Sequence, residues 1–524
     1  MLAPMFRPSC ALLLSLLLAL PVSLVGGCRT NPVSGREELV LMSEEDEQVL
    51  GDEAAKQVEA QLGIVADEEL NTYIQTLGAK LAEYSPRQDV EYSFHVVEME
   101  EPNAFALPGG YIYISRGLLT LANSEAEVAN VIAHEIGHVA ARHAAQRDTA
   151  AKAATVMTII GIVAAAAASG DGRAVGGTQF LSQGLLAAYS RDQERESDRI
   201  AIELTSRAGI DPGGMARFLK QLDNSTRLQT GASRIPGFFD THPATPERFA
   251  EATTRAQVAR WTPGFSIAPT QREFYERIDG IVVGPPANEG VFRDNIFLHA
   301  DLGFSLRFPP GWVYQNTRAQ VMAFAPGGDA IALLELAGPG DDPRERAVEY
   351  AKEMGITLVD GKPIRIGELR AFRARALIRS PGGPVDSLIT WVAFNGLVFQ
   401  LAAGTSGGGL PKYDGIFRSF ARGFRPLRDE DRAQIDEMRM RVVKARGGET
   451  LRELSERTGN DWNLNETAVA NALFVGQPLD SGQLVKIAHR EAYEPAPAEE
   501  PAPEAPEGPI QGPFRDPSPL FGSP

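Results

Sequence analysis

The sequence predicts an α+β chain built from successive units, mainly helical at first and strand-rich later, and three observations carry that reading. Apolar residues recur at helical spacing through 43–62, 68–83 and the stretch that follows Ser124. From about residue 290 the pattern changes to short apolar or alternating runs of the strand type. Residues 441–488 then read as a small strand–helix–helix–strand unit, ahead of a tail dominated by Pro, Glu and Ala. With 524 residues, 43% of them hydrophobic, the chain can bury more than one core. It carries no internal repeat of the solenoid kind.

The first 27 residues have the layout of a secretion signal. Arg7 supplies the positive end, and the apolar run 11–20 is too short for a comfortable membrane span. Leu24-Val25-Gly26-Gly27-Cys28 resembles the lipobox of bacterial lipoproteins, with small residues just before the cysteine. That resemblance implies cleavage before Cys28 and anchorage of the mature chain by lipid on Cys28. Arg29 follows where Asp is associated with inner-membrane retention, which implies the periplasmic face of the outer membrane; an ordinary cleaved signal peptide is the alternative. Cys10 and Cys28 are the only cysteines, so removal of the signal leaves no disulfide and no thiolate ligand for a metal. With 68 acidic residues against 51 basic, the net charge of −17 argues against nucleic acid as a partner and against electrostatic binding to anionic lipid.

Pro108-Gly109-Gly110 reads as a turn and 111–115 as an alternating edge strand, which can hold an extended peptide by main-chain pairing. Asn103 and Ala104 lead into it. The Asn103 amide can grip a substrate backbone or serve as an ordinary turn residue. A helix is then predicted by the S-x-x-E capping box of Ser124 and Glu127, with Val128, Val131, Ile132, Ile136 and Val139 at helical spacing behind it. Arg142 and His143 close it, where positive charge suits the helix dipole. On this helix lies His134-Glu135-Ile136-Gly137-His138. Residues four apart share a helix face, so His134 and His138 can turn imidazole nitrogens towards one ion, with Glu135 beside them as a base for water. The chain has only seven histidines, which makes a chance match improbable.

A metal site that does chemistry needs a third protein ligand and an open position. The segment Ser190-Arg191-Asp192-Gln193-Glu194-Arg195-Glu196-Ser197-Asp198 can supply the ligand: Glu194 and Asp198 share a helical face, while Glu196 points away. Glu194 can bind the ion, and Asp198 can accept the outer N–H of a ligand histidine. Spacing alone leaves a second reading open, a solvated Glu/Arg-rich helix surface with i,i+4 pairs.

The HEIGH run followed about fifty residues later by SRDQERESD resembles peptidase family M48, zinc metalloendopeptidases of the gluzincin type. The resemblance takes in the segment from Asn103 through Ile114 and the pair His242-Pro243 with Arg248, and covers about residues 30–255. Glu196-Ser197-Asp198 stands where the family usually has E-A-D. The resemblance implies a mainly helical metallopeptidase domain over 28–260 with a small edge sheet. It also implies one zinc ion per chain held by His134, His138 and Glu194, with Asp198 behind a ligand histidine and substrate contacts at Asn103 and Ala104. Glu135 is then the general base, and His242 either donates to the developing oxyanion or plugs the open metal position.

Beyond the metal motif, the apolar run 153–169 is too short to span a bilayer and reads as a helix packed over the site or turned towards membrane or client. Residues 261–289, with Gly284-Pro285-Pro286, read as a connector. An α+β unit over 290–426 has predicted strands at 303–308, 331–336, 372–378, 387–394 and 397–402 and helices at 343–354 and 413–424. Its opening, Gly303 to Pro309 with Trp312, resembles Mog1/PsbP-like domains, and it holds no catalytic constellation. A helical linker is expected over 427–440. In 441–488, Gly448 to Leu454, Asn471 and Gly476-Gln477-Pro478-Leu479 resemble a LysM module, which implies peptidoglycan as a partner; a plain βααβ spacer is the alternative. Residues 489–524 read as a disordered tether.

The resemblance thus implies a lipid-anchored zinc endopeptidase whose substrates are misfolded, mislocalised or misassembled envelope proteins. Two readings of other classes stand beside it: a chaperone-like envelope protein that binds clients with limited proteolysis, and a peptidoglycan-associated hydrolase.

Overall fold

The computed structural model describes residues 28–149, 188–228, 238–243, 246–318, 320–380, 383–406 and 409–495. The predicted signal 1–27, the apolar run 153–169 and residues 496–524 of the tail lie outside the described residues. The chain opens with a hairpin of β1 (Cys28–Thr30) and β2 (Glu37–Leu39). Helix Glu44–Gln61 follows, started by a capping box between Ser43 and Asp46 and by four acidic residues in its first turn. Helix Glu68–Ala82 is capped by Asp67 and buries Leu70, Ile74, Leu77 and Leu81 along one face. Both helices lie where sequence periodicity put them.

The sheet beside the metal motif departs from expectation. It has three strands, β3 (Ser93–Val97), β4 (Ala104–Ala106) and β5 (Tyr111–Ser115), in the order β3-β5-β4. The strand expected at the edge, β5, is therefore central, parallel to β3 and antiparallel to β4. Gly109 and Gly110 make this possible: their φ values of 80° and 99° reverse the chain so that 104–106 folds back on 112–114. A Cβ on Gly110 would also strike the Glu91 carbonyl at 2.6 Å. The edges belong to β3 and β4, and β4 begins at Ala104.

Helix Glu125–Ala140 carries the HEIGH run through the middle of the first core, with Val128, Val131, Ile132 and Ile136 fully buried. Ser124 caps it by accepting from Glu127 N, but the Glu127 carboxylate reaches Asn123 N instead of completing a box on Ser124 N. The buried Glu125 carboxylate accepts from Tyr73 Oη, Ile267 N and Ala268 N. Arg142 does not serve the helix dipole: with φ 57° it turns the chain, and its guanidinium reaches Glu47 and the Met42 carbonyl.

Residues 261–289, expected as a connector, are part of this core. Helix Gln271–Ile278 buries Phe274, Tyr275 and Ile278, and β6 (Val282–Val283) pairs with the C-terminal unit. Pro and Gly marked the segment as loop, but Ile267, Phe274, Ile278 and Val283 supply enough apolar surface to anchor it.

The next unit is built on an antiparallel seven-stranded sheet, ordered β10 (Val313–Asn316), β11 (Gln320–Phe324), β12 (Ala330–Pro339), β16 (Leu397–Ser406), β15 (Gly383–Phe394), β14 (Leu369–Ser380) and β13 (Val359–Ile366). A smaller sheet sets β7 (Val291–Arg293), β8 (Ile296–His299), β9 (Phe304–Arg307) and β17 (Arg425–Pro426) side by side. Residues alternate between faces along β15. Leu388 and Val392 join the aromatic core under helix Leu410–Arg422, whereas Ile389 and Trp391 face helix Pro343–Glu353. Helix and sheet are thus both present, with more strands than sequence runs indicated.

The expected helical linker over 427–440 is corrected as well. Only Asp429–Arg432 is helical there, and residues from 436 belong to β18 (Asp436–Lys444). Met438, Met440 and Val442 alternate with charged neighbours, a period-two pattern that packs on the first core. Helices Leu451–Thr458 and Leu464–Ala470 follow, and β19 (Leu484–Ala492) returns to pair with β18 along its length. Residues 489–492 are consequently strand and not tail. Lys486 on β19 is fully buried, its Nζ donating to the carbonyls of Thr120 and Ala122 at 2.8 and 2.7 Å. No helix among the described residues is long and apolar enough to cross a membrane.

Candidate metal centre

The centre is set by how closely two helices cross. A Cβ on Gly137 would come within 3.1 Å of Ser197 Cα, tighter than ordinary contact, so the glycine lets Glu125–Ala140 and Arg191–Ala208 approach. Glu194 and Asp198, on the same helix as Ser197, are thereby brought against His138 and His134. The second helix starts with a Ser190–Gln193 capping box directly ahead of Glu194, which fixes where that carboxylate sits. His242 arrives from the short helix Phe238–Thr241, tied down by Phe238 N donating to Pro102 O and Tyr189 N donating to Thr241 O.

His134, His138, Glu194 and His242 each offer a ligand atom within 4.8 Å of the others, and all four residues are buried. His134 Nε2 lies 3.0 Å from His138 Nε2 and 3.4 Å from His242 Nδ1. Glu194 Oε1 lies 3.3 Å from His138 Nε2 and 2.9 Å from His242 Nδ1. Donors about 2.0–2.1 Å from one tetrahedral ion stand roughly 3.3 Å apart. These separations, and a donor set of imidazoles and one carboxylate, fit zinc. Beside the cluster, both carboxylate oxygens of the fully buried Glu135 lack a hydrogen-bond partner among the described residues. His242 Nε2 stands 3.5 Å from Glu135 Oε1.

The cluster is braced from outside. Asp198 Oδ1 lies 3.0 Å from His134 Nδ1, and Arg248 grips Asp198 through Nε and Nη2 at 2.7 and 2.8 Å. Arg248 also pairs with Glu194. Tyr189 stacks on the His138 ring at 3.7 Å, and Phe238 stacks on His242 at 4.3 Å. Burial pulls His138 well below the ordinary imidazole range, while the same burial pushes the Glu135 carboxyl up. Burial opposes charge on Glu194 too, but His242, His134 and His138 hold it well below the usual carboxylate range. His134 is driven down by burial and up by Asp198 and Glu194, which carry it to about 9.

The structure brings together the predicted ligands His134, His138 and Glu194, with Glu135, Asp198 and His242 in contact with them. Asn103 is buried: its N–H donates to Ser115 Oγ and its Nδ2 faces Met99 Sδ at 3.8 Å. Ala104 is buried in β4 opposite Ile114. Cys28 begins β1, paired with Leu39. Sequence reasoning missed Tyr189 and Phe238, which carry no motif of their own. It gave His143 only a helix-end role, although three of seven histidines fall within 134–143.

Comparison with known proteins places the chain among related sequences. The family model for peptidase family M48 matches residues 68–256. The chain is 31% identical over 221 residues to metalloprotease LoiP of Escherichia coli, covering 41% of this chain and 83% of that protein. It is 30% identical over 237 residues to mitochondrial metalloendopeptidase OMA1 of Schizosaccharomyces pombe, covering 44% and 68%. The beta-barrel assembly-enhancing protease of Yersinia pestis is 30% identical over 259 residues, 47% of this chain and 52% of that protein. The chain thus spans about half the length of that relative. A solution structure of cyanobacterial PsbP from Synechocystis covers 26% of this chain with 10% identity and a TM-score of 0.23, too low to carry an argument.

Proposed function

The chain belongs to peptidase family M48, and from that premise we propose that it is a zinc-dependent endopeptidase acting on misfolded or misassembled proteins of the bacterial envelope. One observation carries the activity: four buried donor atoms from His134, His138, Glu194 and His242 converge beside a Glu135 carboxylate that has no hydrogen-bond partner among the described residues. Charged groups buried this densely are unfavourable unless they are paired or hold a metal.

His134, His138 and Glu194 would hold the zinc, one per chain, and Asp198 with Arg248 keeps the His134 ring in place. When bound, zinc supplies Lewis acidity that polarises the scissile carbonyl and acidifies water. Glu135 takes the proton from the attacking water and delivers it to the leaving amine; a carboxyl raised by burial suits a group that must both take and release a proton. His242 Nδ1 stands 2.9 Å from Glu194 Oε1 and 3.4 Å from His134 Nε2, where the ring would either plug the open metal position or donate to the developing oxyanion. The β4 edge, next to the metal helix, is suited to pair with an extended substrate backbone, with Asn103 and Ala104 at its start.

The envelope assignment is supported by the lipobox-like residues ending at Cys28 and by the relatives named beta-barrel assembly-enhancing protease. On this reading lipid on Cys28 anchors the chain to the outer membrane, and the βααβ unit over 436–492 is the part suited to meet peptidoglycan. The test uses the full chain on an unfolded protein such as casein. Cleavage should be abolished by a chelator, restored by zinc, and absent in a Glu135→Gln protein that still binds zinc. Release of muropeptides in place of peptides would favour the peptidoglycan hydrolase. Binding without cleavage by the zinc-loaded wild type would favour the client-binding protein.

A further inference from the structure

His138 uses both of its ring nitrogens. Nε2 faces the donor cluster, and Nδ1 lies 2.9 Å from Nδ1 of His143. His143 is fully buried, and its Nε2 lies 3.2 Å from Glu196 Oε2. Ser197 Oγ stands 3.5 Å from His143 Nδ1. Glu196 in turn accepts from Asn31 Nδ2 at 3.5 Å, and Asn31 also donates to Glu38 Oε1 at 3.1 Å. A continuous series of polar contacts therefore runs from the metal ligand to the hairpin of β1 and β2.

The protons along this series can be placed by elimination. A ring nitrogen that binds metal carries no proton, so a neutral His138 ligating through Nε2 bears its proton on Nδ1. The acceptor for that proton is His143 Nδ1, which must then be bare. His143 accordingly carries its own proton on Nε2 and donates it to the Glu196 carboxylate. Every donor in the series meets an acceptor, and the series ends on a charge that polarises it outward. His134 achieves the same with one group fewer, because its Nδ1 faces Asp198 directly. Glu196 points away from the metal, as its spacing from Glu194 requires, yet it acts on the opposite ligand through one intervening ring.

We propose that His143 is a positioning residue for the metal centre: it accepts from His138 Nδ1, fixes the tautomer and ring plane of that ligand, and is itself oriented by Glu196. This rests on the zinc reading above. A purely space-filling role for His143 makes a different prediction, since any side chain of similar bulk would then serve.

The test measures zinc affinity of the metal-stripped full chain against a competing chelator, together with the visible spectrum of the cobalt(II)-loaded protein, which reports ligand geometry. His143→Asn keeps an acceptor oxygen where Nδ1 was, and His143→Leu keeps bulk without one. Zinc affinity should fall about 10- to 100-fold in His143→Leu, with a shifted cobalt spectrum, and stay within about threefold of wild type in His143→Asn. Glu196→Gln should fall by a smaller factor, up to about tenfold. Wild-type affinity in a folded His143→Leu protein overturns the proposal, and so do equal losses in the Leu and Asn variants. If His143→Leu does not fold, Glu196→Gln decides: a loss of threefold or more supports the proposal, and unchanged affinity overturns it. A wild-type chain that binds no zinc at all would instead overturn the proposed function, and this inference with it.

Discussion

The metal-centre unit and the seven-stranded-sheet unit are both well packed, but they bury opposite chemistry. Around the metal centre His134, Glu135, His138, His143, Glu194, Asp198, His242 and Arg248 are all buried within one network. The sheet unit buries Phe304, Phe399, Phe417 and Trp391, and its buried polar groups are scattered, such as Arg373 donating to Thr390. Aromatic burial stabilises on its own account. A knot of buried ionisable groups does not, and survives only because its members pair with one another or meet a metal. The contrast marks the first unit as the one where perturbed ionisable groups gather.

The sharpest break of this contrast is Glu135→Gln. It keeps the shape of the site and should lower kcat/KM by about 100- to 10,000-fold while zinc content stays at wild type, read from peptide cleavage and metal analysis. The sheet unit should behave in the reverse way. Phe304 lies 4.9 Å from Phe399 and 5.0 Å from Phe424, ring to ring. Phe304→Ala should cost about 3–5 kcal/mol in denaturant unfolding of that unit and leave zinc content unchanged.

A third substitution tests the seam between the C-terminal hairpin and the metal-centre core. Burial lowers the Lys486 ammonium to about 7, against the pull of Glu127. Lys486→Met leaves the carbonyls of Thr120 and Ala122 without their donor and should cost roughly 2–3 kcal/mol in urea unfolding, since it strands buried acceptors while also removing a buried charge. The smallest effect is a pH dependence in the sheet unit. Burial lowers His299 from 6.5 to about 4, so between those values the unfolded chain holds a proton that the folded chain lacks. Stability from this group is fully present above about pH 6.5 and falls as pH drops towards 4, by on the order of 2 kcal/mol for a partly exposed ring. His299→Phe should flatten that slope in melting curves taken from pH 7 to 4.

The features that were legible in the sequence are local ones. Ser124 announced a helix start, and His134 and His138 shared a face because four residues make about one turn. Strand order was not legible in this way. Nothing local in 93–97 or 111–115 says that β5 lies between β3 and β4, because pairing depends on distant partners. The helical linker expected over 427–440 failed for a related reason, since the alternation of Met438, Met440 and Val442 acquires meaning only against a core formed by residues far upstream.

Sequence alone placed two imidazoles on one helix face with a base on the same turn, and two acids four apart on a second stretch, because helical periodicity is a property of neighbouring residues. That those acids serve the imidazoles is what the resemblance to peptidase family M48 implies, since spacing also allowed a solvated helix surface. Tertiary structure decided the rest. It set the crossing of those helices at Gly137 and Ser197, the arrival of His242 at the fourth donor position, and the turn at Arg142 that lays His143 against His138. Each of these depends on the packing of segments tens of residues apart, which side-chain spacing along the chain does not encode.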